Sequence, residues 1–115
     1  MFTGSLKLIV MLVPGATLVA LLFGTVLLIC GEADTLWPSC PMAEQVKARA
    51  DAAGGPTVTI LSYDHAAHGV FGVPVPKSNP NYGNLDTFGG TDDANNAARM
   101  DAWPKVLVHL EAALR

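Results

Sequence analysis

Asp34 and His68 are the two residues whose types and spacing could do chemistry together. Asp34 lies four residues beyond Cys30, the end of the apolar run Thr25-Val-Leu-Leu-Ile-Cys30. His68 lies five residues beyond Tyr63, the end of the β-branched run Thr57 to Tyr63. In an open parallel sheet, reactive groups gather just past the carboxyl ends of the strands. A carboxylate after one strand and an imidazole after the next meet the needs of a base and its orienter. The carboxylate holds the imidazole in one tautomer and stabilises the imidazolium, while the imidazole moves the proton. Glu32 competes for the acid role and stands second, because it lies nearer the strand end.

The other chemistry-bearing residues have simpler readings. His65 reads as a solvent-facing loop residue. Asp64, His65 and His68 make a poor zinc pattern, three groups in one short loop without a convincing fourth ligand, so no metal and no cofactor is expected. His109 adjoins the apolar stripe of the last helix and reads as structural. Trp37 and Trp103 read first as packing anchors, although Trp37 is close enough to Asp34 to line a substrate site. Cys30 and Cys40 form neither a disulfide framework nor a metal-binding spacing, and suit a reducing compartment. Neither is expected to be a nucleophile.

The elements that must position Asp34 and His68 can be read on either side of them. Thr25 to Cys30 is continuously apolar and ends at Gly31, the pattern of a parallel strand buried on both faces. Ser39 is placed to cap a helix with Pro41 in its first turn. That helix runs to about Ala53 with Ala43, Val46, Ala50 and Ala53 on one face, and Gly54-Gly55-Pro56 stops it. Thr57 to Tyr63 is the next strand. Asp64 to Thr91, rich in Gly, Pro, Asn and Ser, is a long loop of the sort that is often functional. Thr91 or Asp92 caps a closing helix, with Met100, Trp103, Val106, Leu107, Leu110 and Leu114 expected on its buried face and a kink at Pro104. The fold class is therefore α/β, with its elements packing on a parallel sheet. Two strands cannot form a sheet that buries both faces, so unless residues 1–23 add another strand the unit is expected to be part of something larger.

Residues 1–23 are an apolar N-terminal segment, set apart from the region 24–115. Leu8 to Cys30 has the length of a membrane-spanning helix behind a lone Lys7, and also resembles a signal peptide. Against a single span, Pro14-Gly15 divides the run into a strand-like piece (Leu8 to Val13), a helix-like piece (Ala16 to Phe23) and the strand from Thr25. The elements after residue 30 favour the buried-strand reading.

The chain has 115 residues, room for one domain, and a formal charge of −3. It has only seven Lys and Arg, scattered rather than clustered, which argues against a nucleic-acid partner.

The stretch Val26-Leu-Leu-Ile-Cys-Gly-Glu-Ala-Asp-Thr-Leu-Trp-Pro-Ser39, the Tyr-x-x-Ala-x-His motif ending at His68, Gly89-Gly-Thr91 and Ala97-Ala-Arg-Met-Asp-Ala-Trp-Pro104 together resemble one family. It is the C-terminal domain of the acyl-CoA thioester hydrolases and bile-acid-CoA:amino-acid N-acyltransferases, within the α/β-hydrolases and near the dienelactone hydrolases. The resemblance covers Thr25 to Leu114, about 90 of 115 residues. It implies the C-terminal part of an α/β-hydrolase fold, with Asp34 and His68 as the acid and histidine of a catalytic triad. It also implies an acyl-thioester or ester substrate and a cytoplasmic setting. Two departures stand out. No Gly-x-Ser/Cys-x-Gly nucleophile elbow occurs here, and the N-terminal strands that would precede it are missing. The family's Pro-Gly-Ala-Gly-His is replaced by Asp64-His-Ala-Ala-His68, which loses both glycines beside the histidine.

The expectation is thus a C-terminal fragment of an acyl-thioester hydrolase or acyltransferase, inactive alone for want of its nucleophile. The alternative is a small membrane-anchored or exported accessory protein held in the bilayer through residues 8–30.

Overall fold

The computed structural model describes residues Ile9–Met11, Val19–Leu22 and 25–114. Its central strand, β3 (Thr25–Gly31), pairs in parallel with β4 (Thr57–Tyr63), in a register running from Thr25 opposite Thr57 to Gly31 opposite Tyr63. Helix α1 (Ser39–Ala52) makes the crossover between them. On the other side of β3 lie β2 (Val19–Leu22) and then β1 (Ile9–Met11), both pairs antiparallel, so the sheet order is β1-β2-β3-β4. Helix α2 (Asp92–Leu114) closes the described chain.

The sheet is therefore mixed, and the N-terminal segment differs from expectation. Val19–Leu22, inside the piece read as helix-like, is a strand with Leu22 opposite Thr25. Only two residues separate these partners. A connection that short joins antiparallel strands and cannot return a chain to a parallel one. Since β3 takes up the last part of the apolar run, residues 8–30 do not form one spanning helix. Among the described residues no helix is long and apolar enough to cross a membrane. The Pro14-Gly15 turn lies outside the described residues.

Strand periodicity divides the core into two layers. On one face Val26, Leu28, Cys30 and Val58 pack under α1 with Cys40 and Ala43. On the other, Leu27 and Ile29 pack under α2 with Ala66, Val70, Ala98, Ala102 and Val106. Every residue of β3 after Thr25 is buried, which is why it reads as one continuous apolar run.

The helix ends follow local chemistry. In α1 the residue at the N-cap is Pro38, and Ser39 is the first helical residue. Its hydroxyl donates instead to the Gly31 carbonyl at 3.1 Å, tying the helix start to the end of β3. At the other end Gly54, with φ 63°, closes a Schellman turn: its N–H reaches Asp51 O and that of Gly55 reaches Ala50 O. In α2 the Thr91 hydroxyl accepts from Ala94 N at 3.0 Å, an N-cap bond.

Two further expectations are corrected. The buried stripe of α2 is Asn95, Ala98, Ala102, Val106 and Ala113, with Trp103 and Leu110 partly buried. Met100, Leu107 and Leu114 are 61%, 49% and 58% exposed. Small alanines let the helix backbone approach the sheet closely, so the contact face is the small one rather than the one with the largest side chains. Cys30 and Cys40 form a disulfide. The turn from β3 into α1 brings their Cα atoms to 5.2 Å, within disulfide reach. A ten-residue separation in sequence does not reveal that.

Candidate acid–histidine site

Beyond the strand ends the parallel pairing continues into the loops. Glu32 N donates to Tyr63 O at 3.0 Å, and Ala33 N donates to Ala66 O at 2.9 Å. This close approach requires Gly31: a Cβ there would lie 2.5 Å from both Ala66 O and Ala67 Cα. The two loops carrying Asp34 and His68 are thereby fastened side by side.

Asp34 uses both carboxylate oxygens. Oδ1 accepts from Leu36 N at 2.9 Å and Trp37 N at 3.0 Å, an Asx turn that fixes the side chain to its own loop. Oδ2 lies 3.0 Å from His68 Nδ1. The acid side chain is 1% exposed and the imidazole 30%. Burial alone pushes the Asp34 pKa up. The N–H of Trp37, the His68 imidazole and the N–H of Leu36, with a smaller share from Ser39, outweigh that and hold it below the ordinary carboxylate value. An ionised carboxylate can only accept, so the Nδ1 that faces it is the donor, which in a neutral imidazole leaves the lone pair on Nε2.

A third segment closes the site. Asp34 forms an antiparallel bridge with Gly89, and Thr35 N donates to Phe88 O at 3.0 Å. Gly89 adopts φ 109°, and a Cβ there would collide with Ala33 O. The Phe88 ring meets the imidazole edge-on, with centroids 5.8 Å apart. His68 itself opens a short 3-10 turn, His68–Val70. The preceding Ala67 has a negative φ of −138°, so the alanine that replaces the family's glycine is accommodated and His68 still reaches the acid.

The remaining candidates fall elsewhere. Glu32 accepts from Ser62 Oγ at 2.6 Å on the exposed side of the strand ends and is not the partner of His68. Trp37, read first as a packing anchor, is 41% exposed. Trp103 packs on Phe71 in the core. His65 is exposed. The Nε2 of His109 is buried with no hydrogen-bond partner. Its ring lines an open apolar pocket of about 530 Å³ with Leu27, Leu61 and Val108, and neither Asp34 nor His68 belongs to that lining. Among the described residues no group of three His, Cys, Asp or Glu could hold a metal ion.

Sequence reasoning passed over Phe88 and Asn95. Asn95 had a readable signal, since it is the polar member of the α2 stripe that continues through Ala98, Ala102 and Val106. Phe88, exposed and inside a loop, had none.

The family model described as BAAT / Acyl-CoA thioester hydrolase C terminal matches residues 18–115, and so takes in β2 as well as the acid and histidine loops. No curated protein matches the chain.

Proposed function

Because the chain belongs to the BAAT / acyl-CoA thioester hydrolase C-terminal family, we propose that it carries the acid–histidine half of an acyl-group site. That site would hydrolyse an acyl thioester or ester, or transfer its acyl group. One observation supports this above the rest: His68 Nδ1 stands 3.0 Å from a buried Asp34 carboxylate just past the ends of two parallel strands.

In this reading His68 Nε2 takes the proton from a Ser hydroxyl or Cys thiol as that atom bonds to the acyl carbon. It returns the proton to the leaving group as the C–S or C–O bond breaks, then activates the water or amine that accepts the acyl group. Asp34 aims the ring and offsets the charge of the imidazolium. Trp37, exposed three residues from Asp34, is read as a substrate contact. The 115 residues hold no Gly-x-Ser/Cys-x-Gly elbow. The attacking atom and the oxyanion donors are therefore read as coming from polypeptide outside residues 1–115, and these residues alone are read as inactive.

Family likeness favours a cytoplasmic setting. The Cys30–Cys40 bridge pulls the other way, since disulfides persist mainly in oxidising compartments. Thiol alkylation of the protein taken directly from its source decides between them.

The test of function is release of free thiol from an acyl-CoA. The chain is assayed alone, then joined to a family segment that bears the elbow. The expected result is release only from the joined protein, lost on His68→Gln. Equal release by the His68→Gln version would overturn the reading.

A further inference from the structure

Between the loop that carries His68 and the segment that bridges Asp34 lies one fully buried amide. Asn95, in the first turn of α2, is 0% exposed. Its Oδ1 accepts from Ala67 N at 2.7 Å, one residue before His68. Its Nδ2 donates to Leu85 O at 3.1 Å, Gly89 O at 3.1 Å and Thr91 O at 2.9 Å. Gly89 is the residue that bridges the Asp34 backbone.

We infer that Asn95 is the positioning residue of the acid–histidine pair, setting His68 against Asp34 through one side chain that grips both flanking segments. The inference rests on the reading of Asp34 and His68 as a working pair. Packing alone does not call for an amide here. The rest of the stripe is alanine and valine, and a buried polar group is tolerated only when its hydrogen bonds are made. The amide sits in a tight enclosure: a Cβ on Gly90 would meet His65 O at 2.7 Å and then Asn95 Nδ2 at 3.1 Å, and one on Gly69 would meet Leu85 O at 2.4 Å and then Asn95 Cγ at 3.2 Å. The acceptor arm fixes where the His68 turn begins. The donor arms fix the segment that presses Phe88 on the imidazole and Gly89 on Asp34. Neighbouring Asn96 and Arg99 also bind this long loop, through Val75 N, Gly69 O and Val73 O. Neither of them reaches Ala67 or Gly89.

The test is imidazole ¹⁵N NMR of the full chain, which reads the His68 tautomer directly. Wild type is expected to hold neutral His68 with the proton on Nδ1. Asn95→Leu, close in size and without hydrogen bonds, is expected to lose that single tautomer and give a mixture, with the far-UV circular dichroism retained. Asn95→Asp keeps the acceptor for Ala67 and, when ionised, loses the donors, so an intermediate mixture is expected. Asn96→Ala, which frees only Val75, should leave the tautomer as in wild type. A wild-type tautomer in both Asn95 variants overturns the inference. If Asn95→Leu does not fold, Asn95→Asp decides by the same criterion. An Ala67 amide in the unaltered protein that exchanges as fast as an unstructured one also overturns it. Asp34→Asn separates the two ideas. If it leaves His68 unchanged, the pair itself fails. If it scrambles the tautomer and the Asn95 variants do not, only the positioning role fails.

Discussion

The Asp34 carboxylate reaches across from the end of β3 to the His68 imidazole past the end of β4, Oδ2 to Nδ1 at 3.0 Å. Its other oxygen is held by two backbone N–H groups of its own loop. The acid is thus anchored before it meets the imidazole, and the histidine is the partner that has to be brought to it. Two backbone bonds, Glu32 N to Tyr63 O and Ala33 N to Ala66 O, do this, together with the Asn95 amide.

The pair should carry most of the activity of a completed site. In the joined protein, Asp34→Asn and His68→Gln are each expected to lower kcat by about 10²–10⁴-fold, the usual range for removing a positioned acid–base group. Steady-state thiol release measures this. A fall of less than tenfold for both would count against the pair.

Acid should destabilise the fold partly through Asp34. Its folded pKa lies below the unfolded value, so its contribution is fully present above about pH 4. That contribution is lost as pH falls through the lower, folded value. Urea unfolding from pH 3 to 7 is expected to show a shallower acid limb for Asp34→Asn and lower stability near neutrality. The limb should not vanish, because Asp101, held down by Lys105 and Tyr63, behaves the same way. Superimposable profiles for variant and wild type would refute the assignment.

Gly31→Ala should be among the more damaging single-methyl changes in the chain. The added carbon meets backbone on the neighbouring loop at 2.5 Å, and no side chain is there to move aside. A loss of about 1–3 kcal/mol is expected from such overpacking. Gly54→Ala makes a useful contrast, since a Cβ there meets nothing within 4 Å and only the φ of 63° opposes it. Thermal unfolding of both variants compares a collision with a conformational penalty, and a larger loss at Gly54 would show the loop contact to be loose.

The Cys30–Cys40 bridge closes the short segment that holds Asp34. The chain-entropy account gives ~3 kcal/mol for a loop of this size. A Cys30→Ala, Cys40→Ala double variant should lose about that much stability and keep the Asp34–His68 contact, because Ser39 and the Asx turn still hold the loop. Urea unfolding gives the first quantity and the His68 tautomer the second. A scrambled tautomer in a folded double variant would move the bridge from the frame into the site.

The strand–helix–strand unit was legible because its signals are local and repeated. Uninterrupted burial makes β3 one apolar run, β-branched residues mark β4, and two glycines end α1. The boundary residues of β4 were read as they stand. α2 was placed, and its face was misjudged. The helical spacing of apolar residues suggested Met100 and Leu107, but contact with the loop and sheet selected the alanines. The piece around Val19–Leu22 was misread for a related reason. Apolar runs of that length do not distinguish strand from helix, and the short link to Thr25 was the better guide.

By itself the sequence determined which residues stand past the strand ends, since strand length and periodicity are encoded one residue at a time. That placed an acid after β3 and a histidine after β4, and the motifs around them carried the family. Tertiary structure alone decided that their side chains meet, that Cys30 joins Cys40, and that Asn95 spans two distant turns of the loop. Each of these depends on segments brought together by the return of α1 or the docking of α2. Such a distance is a property of the packed whole, and no spacing along the chain expresses it.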